Sequence, residues 1–257
     1  MSAAQRTAII TGAAQGVGKA IALRLSIDGC QVVVSDLAAQ KSLLDLLVSD
    51  ITRTGHTAIA VTADISIEKD MEDLVAEAVA RFGSLDIMVA NDGVAAQSSR
   101  TILDNSQHLS RSGGLVFGPN IKSTLICYKT AAKAMIKQNR GGRIIGTCSL
   151  LEKPNRNTLG TNKVAIRGLT QIAACEWAKY GITVNGYAPG VTDTPLLLQM
   201  DARLADLLHA GPGAYVEIMK AQMSFGRVAQ PEEVARVVSF LASEEAAIVT
   251  GRADSYS

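Results

Sequence analysis

Three closely spaced glycines supply the first chemical possibility in this chain. Ile9 and Ile10 lead into Thr11-Gly12-Ala13-Ala14-Gln15-Gly16-Val17-Gly18, and Lys19-Ala20-Ile21-Ala22 continues with helical character. A strand that enters a glycine turn and leaves as a helix brings bare N–H groups and a helix N-terminus up to a pyrophosphate. Glycine is required there because a Cβ would obstruct either the φ > 0 turns or the close approach of the phosphate. Over so few residues, a plain glycine-rich turn reads the same way. Asp36, about twenty residues on, ends the apolar run Gln31-Val32-Val33-Val34-Ser35. In a dinucleotide fold that position meets the adenosine ribose, where a carboxylate accepts from both hydroxyls and repels a 2′-phosphate. An ordinary strand-end Asp is the alternative. Neither Gln15 nor Leu37 offers a cation for such a phosphate, so the pattern favours NAD over NADP.

The elements that must position these groups follow from hydrophobic periodicity. Apolar strands are expected at 7–11, 31–35, 57–63, 85–90, 143–147 and 182–187, with helices at 16–26, 67–82, 120–138 and 157–180. Leu43, Leu44, Leu47, Val48 and Ile51 form one more helical face, and Ser66 reads as an N-cap. Residues 95–118 are polar, rich in Ser and Gly, and without a clean period, although a short helix over 101–109 fits. Continuous Val/Ile strands alternating with amphipathic helices indicate a parallel sheet covered on both faces. The expected fold class is α/β, a doubly wound parallel sheet with helices on both faces. This is a three-layer α/β/α Rossmann fold that takes residues 1–257 as one domain.

Composition narrows the field of functions. A net charge of +1 leaves no basic footprint for nucleic acid, and 4% aromatic residues leaves few stacking platforms. No apolar stretch reaches the length of a membrane span, and the opening Met1-Ser2-Ala3-Ala4-Gln5-Arg6 lacks the apolar core of a signal peptide. A cytoplasmic location is expected. Cys30, Cys127, Cys148 and Cys175 are scattered without metal-ligand spacing and fit buried thiols in a reducing compartment. His56, His108 and His209 are isolated, so no metal site is expected.

Taken together, the motifs resemble those of the short-chain dehydrogenase/reductase family over nearly the whole chain. Thr11 with Gly12, Gly16 and Gly18 is similar to that family's nucleotide turn. Asp64-Ile65 looks like its adenine contact, and Asn91-Asp92-Gly93 is similar to its N-A-G turn with Asp92 in place of a small residue. The resemblance implies that Asn120 holds a proton-relay water, Ser149 is the catalytic Ser, and Lys163 is the catalytic Lys, which also holds the nicotinamide ribose. It further implies that Pro189-Gly190-Val191-Thr192-Asp193-Thr194 grips the carboxamide and pyrophosphate. The stretch 167–189 resembles the branch that reduces small ketones and diketones such as acetoin. A homo-oligomer is implied, with a dimer through the helices of Asn120 and Lys163 and a tetramer possible.

One departure is chemical. The family's catalytic Tyr stands four residues before the Lys, one helical turn away, where the ammonium lowers the phenol's pKa so that it can exchange a proton near neutrality. Here that residue is Leu159, and Tyr128, Tyr180 and Tyr187 lie elsewhere. The stretch from Ser149 to Lys163, including Leu151, is also shorter than the family's usual one, which alters the substrate edge around Leu151 and Leu159. Asp92 is a second departure: Asp-Gly is a favourable turn pair, and a carboxylate near the cofactor is the alternative reading. After Gly251 the chain offers Arg252-Ala253-Asp254-Ser255-Tyr256-Ser257, a poor strand where the family continues with an apolar one. Residues 195–223 are strongly apolar and read as a substrate lid, hinged at Gly211-Pro212-Gly213, or as a helical pair packed on its own domain.

The expected activity is NAD(H)-dependent oxidoreduction of a ketone/secondary alcohol pair in a small, largely hydrophobic substrate. Two alternatives stand beside it: a non-redox isomerase, lyase or cyclase on the same scaffold, and a catalytically inactive NAD-binding protein.

Overall fold

The inner strands of this chain are apolar on both of their faces, and the two faces bury against different helices. In β1 (Thr7–Ile10), Ala8 and Ile10 join one core and Ile9 the other; Val32 and Val34 of β2 (Gln31–Asp36) part from Val33 in the same way. The alternation continues in β4 (Ile87–Ala90), where Ile87 and Val89 oppose Met88 and Ala90. A period of two with both phases apolar is what a sheet sandwiched between helix layers requires. The computed structural model describes residues 5–92, 113–148, 158–208, 211–221 and 223–256, with the backbone alone at 113–119, 158–164, 204–208 and 254–256.

Seven parallel strands form one sheet in the order β3-β2-β1-β4-β5-β6-β7, with β3 (Ala58–Thr62), β5 (Gly142–Thr147), β6 (Ile182–Pro189) and β7 (Ala253–Tyr256) completing it. Helices α1 (Gly16–Ile27), α2 (Lys41–Arg53) and α8 (Pro231–Ala242) supply Ile21, Leu25, Leu44, Leu47, Val234 and Val238 to one core. Helices α3 (Glu68–Phe82), α4 (Gly113–Gln138) and α5 (Thr158–Trp177) supply Met71, Leu74, Cys127, Tyr128, Met135 and Ala173 to the other. Two further helices, α6 (Pro195–Leu208) and α7 (Ala214–Lys220), follow β6. The expected doubly wound α/β sheet is the observed fold.

Several local expectations change. The N-cap of α3 is Ile67, not Ser66, because the Ser66 hydroxyl is turned back to the Asp64 carboxylate (2.7 Å). Of the expected face of α2, Leu44, Leu47 and Ile51 are buried and Val48 packs against the same core, whereas Leu43 is exposed. The helix expected from residue 120 begins at Gly113, so Asn120 lies inside α4 and not at its start. The expected short helix over 101–109 lies outside the described residues. Cys30, Cys127 and Cys148 are buried, whereas Cys175 is exposed.

The unpromising C-terminal stretch does form a strand. β7 pairs in parallel with β6, Gly186 opposite Ala253 through Pro189 opposite Tyr256. Its entry is held by Asn185, which is fully buried in the middle of β6: its amide donates to the Val249 carbonyl (2.7 Å) and its oxygen accepts from the Arg252 N–H (3.2 Å). The backbone ladder and this clamp stand in for the apolar side chains that the sequence lacks.

Candidate active site

The strand order reverses between β1 and β4, and the crevice beyond their C-terminal ends is where open α/β sheets bind ligands. The glycine turn closes one side of it. Gly12 (φ +61°) and Gly16 (φ +58°) adopt left-handed backbone, which glycine enters without a steric penalty. The bare positions also admit protein atoms. A Cβ on Gly18 would fall 2.1 Å from the Gly12 carbonyl oxygen, and one on Gly16 would fall 3.3 Å from the Thr194 methyl. The glycines therefore let the turn fold upon itself and against the β6 end. Gln15, the exposed N-cap of α1, makes no side-chain capping bond, and the first turn of α1 carries no acidic residue. Val17 is half-buried beside it. An uncapped helix start without a carboxylate fits a pyrophosphate.

Asn91, at the end of β4, ties this turn to the sheet. Its amide donates to the carbonyls of Thr11 (3.0 Å) and Gly12 (3.1 Å), and its oxygen accepts from the hydroxyl of Tyr187 on β6 (2.7 Å). Burial pushes the Tyr187 phenol well above its ordinary range, so it stays a donor. Asp36, at the tip of β2, accepts from the N–H of Ala14 (3.1 Å) and of Leu37 (2.9 Å). It is thus anchored to the glycine turn as well as positioned at the crevice edge, a contact its sequence position does not announce. Asp64 accepts from the Ser66 hydroxyl and the Ser66 N–H (2.9 Å), bonds that hold its carboxyl below the usual range. Ile65 follows it, half-buried, at the same edge.

Asp92 is the unusual group. Its N–H lies 3.4 Å from the Thr11 hydroxyl oxygen, and a Cβ on Gly12 would fall 2.4 Å from its Oδ1, so the carboxyl rests on the bare face of the first glycine. Burial, reinforced by the negative charge of Asp36, raises its pKa to about 7. Gly93, expected beside it, lies outside the described residues.

The β6 end reaches the same crevice. Pro189 closes β6, Gly190 accepts from the Thr192 hydroxyl (3.1 Å), and Thr194 stands before the first residue of α6 with its hydroxyl 3.5 Å from the Leu197 N–H. In the α6–α7 pair the buried carboxylate of Asp201 accepts from the N–H groups of Gly213 (2.7 Å), Tyr215 (3.0 Å) and Val216 (3.3 Å). It caps α7 from the neighbouring helix. An acid set directly after the largely apolar run Pro195–Met200 is the signal that could have pointed to it. Leu197 is buried, whereas Leu196, Leu198 and Ile218 are exposed.

On the far side of the crevice, α4 carries the buried Asn120, whose carbonyl accepts from the Thr124 hydroxyl (2.9 Å). Farther along α4, Tyr128 lies across β5 to α5. The Thr170 hydroxyl donates to Ile166 (2.9 Å), so the Tyr128 hydroxyl is the donor in the 3.0 Å bond between them. Gly146 beneath it has no room for a Cβ, which would fall 2.0 Å from that hydroxyl. Leu159 and Lys163 fall one turn apart at the start of α5, their side chains outside the described residues. Ser149 and Leu151 also lie outside them. Cys148, the last described residue before Ser149, is buried beyond the end of β5.

Comparison with known proteins follows the same lines. A family profile described as enoyl-(acyl carrier protein) reductase matches residues 12–254. A short-chain dehydrogenase/reductase of Armillaria gallica is 38% identical over 250 residues, covering 96% of this chain and 92% of the relative. The chain belongs to the short-chain dehydrogenase/reductase family. A diacetyl reductase [(S)-acetoin forming] of Staphylococcus epidermidis is 39% identical over 254 residues, covering 96% of this chain and 95% of that one. The crystal structure of a short-chain type dehydrogenase/reductase from Mycobacterium marinum superposes with a TM-score of 0.84 at 27% identity, over 97% of this chain and 93% of that one. The chain is accordingly an oxidoreductase-type enzyme of a family that uses a nicotinamide cofactor. Among the described residues, no helix is long and apolar enough to cross a membrane.

Proposed function

We propose that this chain is an NAD(H)-dependent oxidoreductase acting on the ketone/secondary alcohol pair of a small, largely hydrophobic substrate, with an active site altered at Leu159. The observation that carries the reading is the convergence on one crevice of the glycine turn, Asp36, Asp64, Asn91 and the 189–194 segment. Gly12, Gln15, Gly16, Val17 and Gly18 would receive the pyrophosphate and Asp36 the adenosine ribose. Asp64 and Ile65 would border the adenine, and Pro189, Gly190, Thr192 and Thr194 the nicotinamide end. The carboxylate of Asp36 favours NAD over NADP. When bound, the nicotinamide gives or takes the hydride.

The chain's own residues handle the oxygen and the proton. Ser149 holds the substrate oxygen, Lys163 the nicotinamide ribose hydroxyls, and Asn120 a water. With leucine at 159 the proton passes through water or another polar group, of which Thr158, Asn162 and Glu152 are the candidates in the sequence. Losing a positioned general acid costs about 10²–10⁴ in rate. The diacetyl reductase relative supports small ketones and diketones as the substrate class. The α6–α7 pair serves as the lid, and Leu159 and Leu151 line the pocket. Exposed Leu125 on α4 and Ile172 on α5 support a dimer through those helices, in a cytoplasmic protein.

The test is transfer of deuterium from 4-deuterated NADH to a panel of small ketones that includes diacetyl. Label on the carbinol carbon is expected, and no transfer to any ketone overturns the reading. Leu159→Tyr should raise the rate by about 10²-fold or more. The same leucine and the shortened stretch before it favour one second reading, a non-redox enzyme that keeps NAD bound. Turnover without net change in the cofactor's redox state would distinguish it.

A further inference from the structure

The nucleotide turn of this chain carries a charge that an anion-binding turn has no use for. The Asp92 carboxyl lies on the face of Gly12, in the space that the absent Cβ leaves open. Asp36 holds the Ala14 N–H of the same turn, and Asp64 stands beyond the end of β3. Both add negative potential at Asp92. Among the described residues, the groups facing it from the turn, α4 and β6 are neutral. Thr11 of the turn supplies a hydroxyl, Cys127 of α4 a buried thiol, and Tyr187 of β6 a buried phenol, and burial raises both acids above their ordinary ranges. A pyrophosphate brought to this turn is itself doubly negative and would meet a carboxylate of its own sign if Asp92 were ionised.

We propose that Asp92 makes dinucleotide affinity proton-linked: the neutral acid admits the pyrophosphate and the carboxylate opposes it. This rests on the reading of the crevice as an NAD site. With half-protonation near pH 7, the acid is mostly neutral at pH 6 and mostly ionised at pH 8. If only the neutral form binds, affinity falls by about tenfold between those values. The sign follows from the group: raising pH removes the proton that the complex retains, so binding weakens as pH rises. NAD⁺ carries no group of its own that titrates in this interval.

The experiment is calorimetric titration of the full chain with NAD⁺ and with ADP-ribose at pH 6 and pH 8, for wild type, Asp92→Asn and Asp92→Ala. Wild type should lose about tenfold in affinity for both ligands on going to pH 8, with proton uptake on binding near pH 7. Both variants should bind equally at the two pH values and at pH 8 exceed wild type. Two variants are used because the small Ala side chain clears the Gly12 face if Asn disturbs it. A pH-independent affinity in wild type, or a slope that survives in a folded variant, overturns the proton linkage while leaving the NAD site standing. Absence of binding by all three proteins at both pH values overturns the NAD site and the linkage with it.

Discussion

The two sides of the crevice are held by different kinds of bond. On the glycine-turn side, Asn91 reaches back about eighty residues to Thr11 and Gly12 and accepts from Tyr187, which is 96 residues farther on. On the α6–α7 side, Asp201 captures N–H groups only 12 to 15 residues away. The first set joins β1, β4 and β6, so it cannot be broken without disturbing the sheet. The second joins a helix to its own successor, so it can open with the sheet intact. If the crevice binds as proposed above, a rigid side for the cofactor beside a separable side for the substrate suits an enzyme that must admit a small molecule and then exclude water.

That contrast can be broken from either side. The largest effect is expected from Gly18→Ala, whose Cβ would meet the Gly12 carbonyl at 2.1 Å. The backbone of the turn must move, and we expect a loss of about 3 kcal/mol or more in denaturant unfolding together with loss of NAD binding. Asn91→Ala leaves two turn carbonyls and the Tyr187 hydroxyl without their partner. It should cost about 2–3 kcal/mol, against about 1 kcal/mol for Tyr187→Phe, both read by urea denaturation.

Asp92 gives a pH test of stability distinct from the binding test above. Its folded pKa is raised, to about 7 against 3.8 for the free carboxyl, so the native state binds the extra proton between those values. Wild-type stability should therefore fall as pH rises from about 4 to about 7 and level off above. Asp92→Asn should remove that fall, gaining on the order of 1–2 kcal/mol at pH 8 once partial solvent contact is allowed for. Asp201→Ala should have a small global effect, about 1 kcal/mol, as for Tyr187→Phe. It should still raise protease cleavage within 195–223 several-fold and leave NAD affinity within twofold of wild type. A matching loss of NAD affinity would show that the two sides are one unit.

How much was legible in the sequence follows the same division between local and distant bonds. The glycine turn, Asp36 and the alternation of strands and helices are written in short stretches, because φ > 0 turns and burial periodicity are local demands. The partners of Asp36, Asn91 and Asp201 are backbone groups or far-off side chains, and no spacing rule reports them. Asn185 had a readable signal: a lone amide inside Ile182–Pro189, an otherwise apolar strand, must find partners when buried. What it would hold, the entry to β7, could not be read, because β7 is built from backbone pairing and its own side chains argue against it. The start of α4 was missed for the opposite reason: glycine and proline are poor helix formers, and Gly113, Gly114, Gly118 and Pro119 hid the first turns of the helix.

Tyr128 bears on what can change in this protein. Its ring fills the gap between α4 and α5 over Gly146, and its hydroxyl is fastened to Thr170. The interval between the helix of Asn120 and the helix of Lys163 is therefore gauged by one buried phenol, well away from the residues at the mouth. A substitution elsewhere along either helix leaves that spacer in place, so the site can change its chemistry while the two helices keep their distance.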